Sequence, residues 1–126
     1  MKFLYLFMIA LLLALPAGAN EAPTEAEREI TYLINEVRDS GQTFVRNGTP
    51  YPAAEAADHL AMKYNRVKDH IATAEDFIEK VASKSSVTGQ PYIIEGNDGS
   101  EVLANAWLHE ELDRMRSETP QSESTK

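Results

Sequence analysis

Phe44-Val45-Arg46-Asn47-Gly48-Thr49-Pro50-Tyr51 decides the fold of this chain. Thr43, Phe44 and Val45 favour extended backbone, and Asn47-Gly48 is a two-residue hairpin signal because both residues tolerate positive φ. The stretch from 42 to 51 therefore predicts a short β-hairpin closing near Tyr51. An isolated hairpin is marginal in water, so Phe44 and Tyr51 must lie against a helix.

The sequence supplies helices on both sides. Upstream, Thr24 and Glu27 form a capping box, in which the hydroxyl accepts from the Glu27 backbone N–H and the carboxylate reaches back. Ile30, Leu33, Ile34 and Val37 follow at i, i+3, i+4 and i+7, one apolar face of a helix that Ser40-Gly41 ends. Downstream, Pro52 suits the first turn of a second helix reaching about His70. Its expected buried stripe is Ala56, Leu60, Tyr64, Val67 and Ile71. Thr73 with Asp76 is a second capping box, opening a shorter helix that buries Phe77, Ile78 and Val81, so a break falls near Ala72. Between Ser83 and Gly99 the chain is polar and turn-rich around Tyr92-Ile93-Ile94, a patch suited to a short strand beside the hairpin. Gly96-Asn97-Asp98-Gly99 reads as a turn. Asp98 with Glu101 reads as a third capping box, opening a last helix with Leu103, Ala104, Trp107, Leu108, Leu112 and Met115 on its apolar side. The expected fold is α+β, mainly α: about four helices with a small hairpin or three-stranded antiparallel sheet.

The ends of the chain read differently. Lys2, an apolar run from Phe3 to Leu15, Pro16 and Ala17-Gly18-Ala19 have the three parts of a secretory signal peptide, with cleavage expected after Ala19. The run is too short for a membrane span, which needs about 20 apolar residues. Residues 20–116 then form one globular domain, and 117–126, built of Ser, Glu, Thr, Pro, Gln and Lys, form a polar tail unable to order itself by burial. The expected address is the periplasm, with no membrane insertion once the leader is removed. The chain carries 12 basic and 20 acidic residues, a formal charge of −8, which becomes −9 when Lys2 leaves. Such a charge repels nucleic acid and anionic lipid, and suits a basic protein partner or simple solubility. Cysteine is absent, which excludes thiol nucleophiles and thiolate zinc sites.

Several phrases carry a family resemblance. They are Phe44-x-Arg46-Asn47-Gly48-x-x-Tyr51, Glu55-Ala56-x-x-His59-Leu60-x-x-Lys63-Tyr64, Thr73-Ala74-Glu75-Asp76-Phe77-Ile78, and Ala82-Ser83-x-Ser85-Ser86-x-x-Gly89-x-Pro91-Tyr92. Over about residues 27 to 116 the chain resembles the small exported proteobacterial proteins of the YfeK type, a domain of unknown function. The resemblance implies a Gram-negative source and a periplasmic home, and brings no assigned activity. It also implies that relatives carry a Cys at the position of Gln42 and another near Glu95 or Gly96. The hairpin and the Tyr92 strand should then lie side by side, with Gln42 close to Glu95 or Gly96.

The candidate chemistry is a binding surface and no catalytic site. Glu55, His59 and Lys63 recur four apart and share a helix face, and Arg46 and Asn47 can reach that face from the hairpin. Together with Ser85, Ser86, Thr88, Gly89 and Tyr92 they form the expected surface for a small polar ligand or a protein partner. The competing structural reading is helix pairing along Glu55, His59 and Lys63, with Arg46 fixing the hairpin to a carboxylate. His109-Glu110-x-x-Asp113 lacks the second imidazole of the zinc-protease pattern H-E-x-x-H, so neither metal nor other cofactor is expected. The serines before Gly89 have neither the nucleophile-elbow nor the P-loop spacing. Thr88-Gly89-Gln90-Pro91-Tyr92 is similar to the Ser-Gly-x-x-Tyr loop of periplasmic lysozyme inhibitors, which makes a basic enzyme such as lysozyme an alternative partner. An uncharacterised hydrolase is a further alternative.

Overall fold

All four expected helices form in the computed structural model, which describes residues 22–118, and the first three begin where their sequence signals place them. Helix α1 spans Glu25–Asp39, and both halves of its capping box are made: Glu27 N–H donates to Thr24 Oγ1, and Thr24 N–H donates to the Glu27 carboxylate. The chain then enters strand β1, Thr43–Arg46, turns through Asn47 (φ 53°) and Gly48 (φ 78°), and returns as β2, Thr49–Pro52. Two successive positive φ angles are what a tight hairpin with the native twist demands. Phe44 faces Tyr51 across this ladder.

Pro52 caps α2, Ala53–Val67, which tightens into a 3₁₀ turn, Lys68–His70, before the corner at Ala72. Helix α3, Ala74–Lys80, is capped by Thr73, whose hydroxyl accepts from Asp76 N–H. The Asp76 carboxylate accepts from Ala72 N–H and so fixes the corner. Strand β3, Ile93–Glu95, strand β4, Glu101–Leu103, and α4, Ala104–Glu118, complete the fold. The last helix includes Ser117 and Glu118, where the sequence suggested the tail begins. The leader, residues 1–19, and the tail beyond Glu118 lie outside the described residues.

The four strands form one antiparallel sheet in the order β2-β1-β3-β4. β1 sits centrally, with Thr43 opposite Glu95 and Phe44 opposite Ile94. The next rung places Gln42 beside Gly96: a Cβ added to Gly96 would lie 3.8 Å from Gln42 Oε1. The fold is thus α+β and mainly α, with the hairpin and the Tyr92 strand adjacent.

Strand β4 corrects the expected third capping box. Asp98 accepts from Ser100 N–H and Ser100 Oγ instead of capping a helix. The turn, closed by Gly99 N–H on Gly96 carbonyl and by Gly96 N–H on Ser100 carbonyl, sends residues 101–103 back along β3. Leu103 is therefore a half-exposed edge residue and not part of a helix face. The stripe of α2 is also rotated from expectation. Ala53, Ala57 and Leu60 are buried, Ala56, Tyr64 and Ile71 are only partly covered, and Val67 is exposed. The small alanines let α1 approach α2 closely, and that close packing selects the face.

The core lies between the inner sheet face and the four helices. Ile30, Leu33 and Val37 of α1 meet Phe77 and Ile78 of α3, Leu108 and Leu112 of α4, and Ile94 of β3. Burying each such side chain contributes roughly 1.5–3 kcal/mol. Edge-to-face contacts join Tyr64 to Phe77, with ring centroids 5.8 Å apart, and Phe44 to Trp107 at 6.3 Å.

Candidate functional site

Alternation along β1 turns Phe44 and Arg46 to one face of the sheet, and α2 crosses that face. Between them lies a pocket of about 200 Å³ lined by Phe44, Val45, Arg46, Tyr51, Glu55, Ala56, His59, Leu60, Ala82, Tyr92, Ala104 and Leu108. The lining combines apolar side chains from the sheet, α2 and α4 with Arg46, Glu55 and His59, and with two tyrosines. The hairpin and α2, which follow one another in the chain, meet the 83–92 loop, which lies some thirty residues beyond the hairpin.

Arg46 is the centre of the charge pattern. One of its N–H groups donates to Tyr51 Oη at 3.3 Å, and its guanidinium lies 5.3 Å from the Tyr51 ring centroid. Lys63 donates to Tyr92 Oη at 2.9 Å and to the Lys84 carbonyl at 3.2 Å, with its ammonium 5.0 Å from the Tyr92 ring centroid. Among the described residues, the ion pairs made within 4 Å include neither cation. Burial depresses the Lys63 ammonium below its ordinary value, and Arg46 adds to the effect. Burial also lowers the His59 imidazole, reinforced by Arg46, Lys63 and Arg66. Tyr92 is raised by burial, with Arg46 opposing. Three separate groups thus sense the Arg46 charge. His59 Nε2 is buried and has no hydrogen-bond partner among the described residues.

A hydrogen-bonded brace fixes the rim. Asn47 Nδ2 donates to Ser85 Oγ at 3.3 Å, and Thr88 Oγ1 donates to Asn47 Oδ1, joining the hairpin turn to a loop some forty residues away. Ser85 Oγ, 3% exposed as part of its residue, also accepts from the backbone N–H of Val87 and Thr88. Ser85 N–H donates to the Gln90 carbonyl and Gly89 N–H to the Ser85 carbonyl, with Gly89 at φ 79° as the turn requires. The loop is a closed turn with Val87 at its tip, 89% exposed.

The structure brings the expected residues together in two roles. Arg46, Glu55, His59 and Tyr92 line the pocket, and Lys63 is held beside it by Tyr92. Asn47, Ser85 and Thr88 build the brace, and Gly89 closes its turn. Ser86 is exposed and takes no part in these bonds. The expected helix pairing along Glu55, His59 and Lys63 is replaced by the cross-chain bonds of Lys63, and Arg46 contacts a tyrosine and not a carboxylate. Tyr51 and the apolar floor of Ala56, Leu60, Ala82, Ala104 and Leu108 were legible in the sequence as hairpin, helix and motif positions, and not as parts of a site. Only the placement of Tyr51 directly across from Phe44 signalled its role. His109 lies elsewhere, with Nε2 2.9 Å from the Glu79 carboxylate. Among the described residues no group of His, Asp and Glu converges as metal ligands.

A second polar cluster occupies the opposite end of the helices. Arg116 of α4 donates from Nε and Nη2 to Glu29 of α1 at 2.9 and 2.8 Å, and from Nη1 to Glu75 of α3 at 2.6 Å. Hydrogen bonding to Arg116 holds the Glu75 carboxyl below its ordinary range. Farther along α4, Glu111 is buried; it pairs with Arg114 through Oε2, while Oε1 has no partner. Burial raises its carboxyl; Arg114 opposes this and Glu36 adds to it.

Residues 24–116 match the model of a family described as Family of unknown function (DUF5329). A relative from Salmonella typhimurium, named Uncharacterized protein YfeK, is 45% identical over 93 residues, covering 73% of this chain and 77% of its own. No solved structure matches.

Proposed function

The chain belongs to this family of unknown function, and we propose that it is an exported small-molecule binding protein that uses the pocket between β1, α2 and the 83–92 loop. The supporting observation is that an apolar cavity is rimmed by polar groups from the hairpin, α2 and the 83–92 loop, with the hairpin turn and the loop tied together by the Asn47–Ser85–Thr88 brace. A dry cavity of about 150 Å³ accepts benzene, so about 200 Å³ suits a body of roughly ring size. Small-ligand sites commonly combine apolar walls with a few placed polar groups. Binding is favoured over hydrolysis because the Ser85 hydroxyl is engaged by two backbone N–H groups and Asn47, with no base beside it.

The test is backbone-amide NMR during titration with a panel of ring-sized acids, alcohols and amines. Binders should move amides of residues 44–46, 55–60 and 92. Ala56→Phe, which fills the cavity from α2, should abolish the response while leaving the helical circular dichroism intact. Binders that perturb other surfaces only, or equal responses from Ala56→Phe, would remove this reading. The export half is tested by mass spectrometry of a periplasmic fraction, where the mature chain should begin at Asn20.

A second reading draws on the projecting tip. The closed 85–90 turn presents Val87 almost fully exposed, as a protein inhibitor of a basic enzyme would present an anchor. The excess of acidic residues would speed such an encounter. A lysozyme assay decides it: no inhibition at micromolar excess eliminates the inhibitor, whereas inhibition lost in Val87→Asp would establish the tip as its anchor.

A further inference from the structure

We infer that the pocket's ligand is a small apolar monoanion, a carboxylate on a ring-sized or short branched body, docked with its charge between Arg46 and Lys63. This names the ligand class of the binding role proposed above and rests on it. The body is set by the cavity, whose floor of Phe44, Leu60, Ala82, Ala104 and Leu108 is apolar and favours an apolar body over a polar one.

The charge is set by what the rim leaves unpaired. The chain has 20 acidic residues for 12 basic ones. Elsewhere Arg38 pairs with Asp58, Arg114 with Glu111, and Arg116 with Glu29 and Glu75, while Arg28, Arg66, Lys68 and Lys84, which make no ion pair among the described residues, stand exposed to solvent. Arg46 and Lys63 are instead half-buried beside the cavity, facing each other's field, with no carboxylate of the described residues within 4 Å. Two like charges held near an apolar cavity repel one another, and an incoming anion relieves that repulsion. Their donors are also free to act. A guanidinium has five N–H groups, of which Arg46 commits one to Tyr51, and the Lys63 ammonium commits two of three.

Glu55 sets the valence. It lines the same pocket one helix turn from His59, and the half-buried His59 imidazole, lowered by burial and by Arg46, Lys63 and Arg66, is mainly neutral at pH 7. Two cations against one carboxylate leave a single positive charge, which matches a monoanion and disfavours a dianion. A cationic ligand would be repelled by the positive charge that remains.

The probes are benzoate, phenyl phosphate, benzamide and benzylamine, which share one ring and differ in charge. Affinities come from calorimetry on the mature chain, with the bound site mapped by amide shifts. Benzoate should bind at the pocket at least about tenfold more tightly than benzamide, since a charge-assisted hydrogen bond is worth about 1.5–3 kcal/mol. Benzylamine should not bind, and Arg46→Gln should reduce benzoate to the level of benzamide. If Arg46→Gln proves unfolded by circular dichroism, Lys63→Gln replaces it, with at least a threefold loss expected. Benzamide or benzylamine binding the pocket as tightly as benzoate overturns the anion while sparing the binding role. Phenyl phosphate binding more tightly than benzoate overturns the monoanion. Failure of all four probes to shift any pocket amide overturns both this inference and the reading beneath it.

Discussion

The two ends of the helical layer place an arginine against groups from other elements, with opposite results. At Arg116 the complement is filled: two carboxylates, from α1 and α3, take its N–H groups at 2.6–3.2 Å. At Arg46 the partners are a phenol and an aromatic face, a second cation lies nearby, and no carboxylate of the described residues pairs with it within 4 Å. The difference teaches how to separate structure from function among polar clusters. A cluster whose charges cancel internally contributes to holding elements together. One whose charges remain uncancelled beside a cavity leaves interaction energy for something that arrives later.

The largest test of this contrast is Arg116→Met. It strands Glu29, a 6%-exposed residue, and breaking a largely buried pair costs about 3–5 kcal/mol. Urea melts should show a loss near the lower end, because Arg116 is partly exposed. A loss below about 1 kcal/mol would mean that Glu29 finds another partner and that the latch is dispensable. Glu111→Gln should act in the other direction. The wild-type carboxyl is raised by burial, so its contribution to stability is present below the ordinary carboxyl value of 4.5 and fades as pH rises through its higher folded value. Removing that charge should stabilise the chain by about 1 kcal/mol at pH 7, the order of a buried unmade hydrogen bond, and the gain should vanish near pH 4. A gain that persists at pH 4 would have a different cause.

Arg46→Ala sharpens the comparison from the pocket side. With no ion pair to lose, it should cost less than about 1 kcal/mol in the same melts, mostly its contact with the Tyr51 ring. A loss matching that of Arg116→Met would reclassify Arg46 as a structural latch. The smallest effect belongs to His59. Its folded value lies below the ordinary 6.5, so the unfolded chain takes up the proton first as pH falls. Stability is full above about pH 6.5 and declines as pH drops toward the folded value. The difference between wild type and His59→Gln, measured from pH 7.5 to 5, should carry that slope. Parallel curves would show that His59 titrates as it does in water.

Much of the fold was legible because its determinants are local. The Thr24–Glu27 box, the Ile30-Leu33-Ile34-Val37 period and the Asn47-Gly48 turn depend on residues within a few positions of each other. The reading failed where a local signal met a stronger distant one. Asp98 and Glu101 have capping-box spacing, yet pairing with β3 claimed residues 101–103 and left Leu103 on an edge. Along α2 several faces were apolar enough to bury, and packing against α1 chose Ala53, Ala57 and Leu60. The candidate site divides the same way. Charged and hydroxyl residues were visible as chemistry, whereas the cavity's alanines and leucines carry no chemical signature of their own.

Sequence alone therefore determined the helices, the hairpin and the pool of polar groups from which a site is drawn, since propensity, capping and turn chemistry operate within one or two turns of chain. Only the tertiary structure decided which of those groups are neutralised and which are left open. Charge compensation depends on distances between residues far apart in sequence: Arg116 meets Glu29 across 87 positions, while Arg46 meets no carboxylate within 4 Å among the described residues.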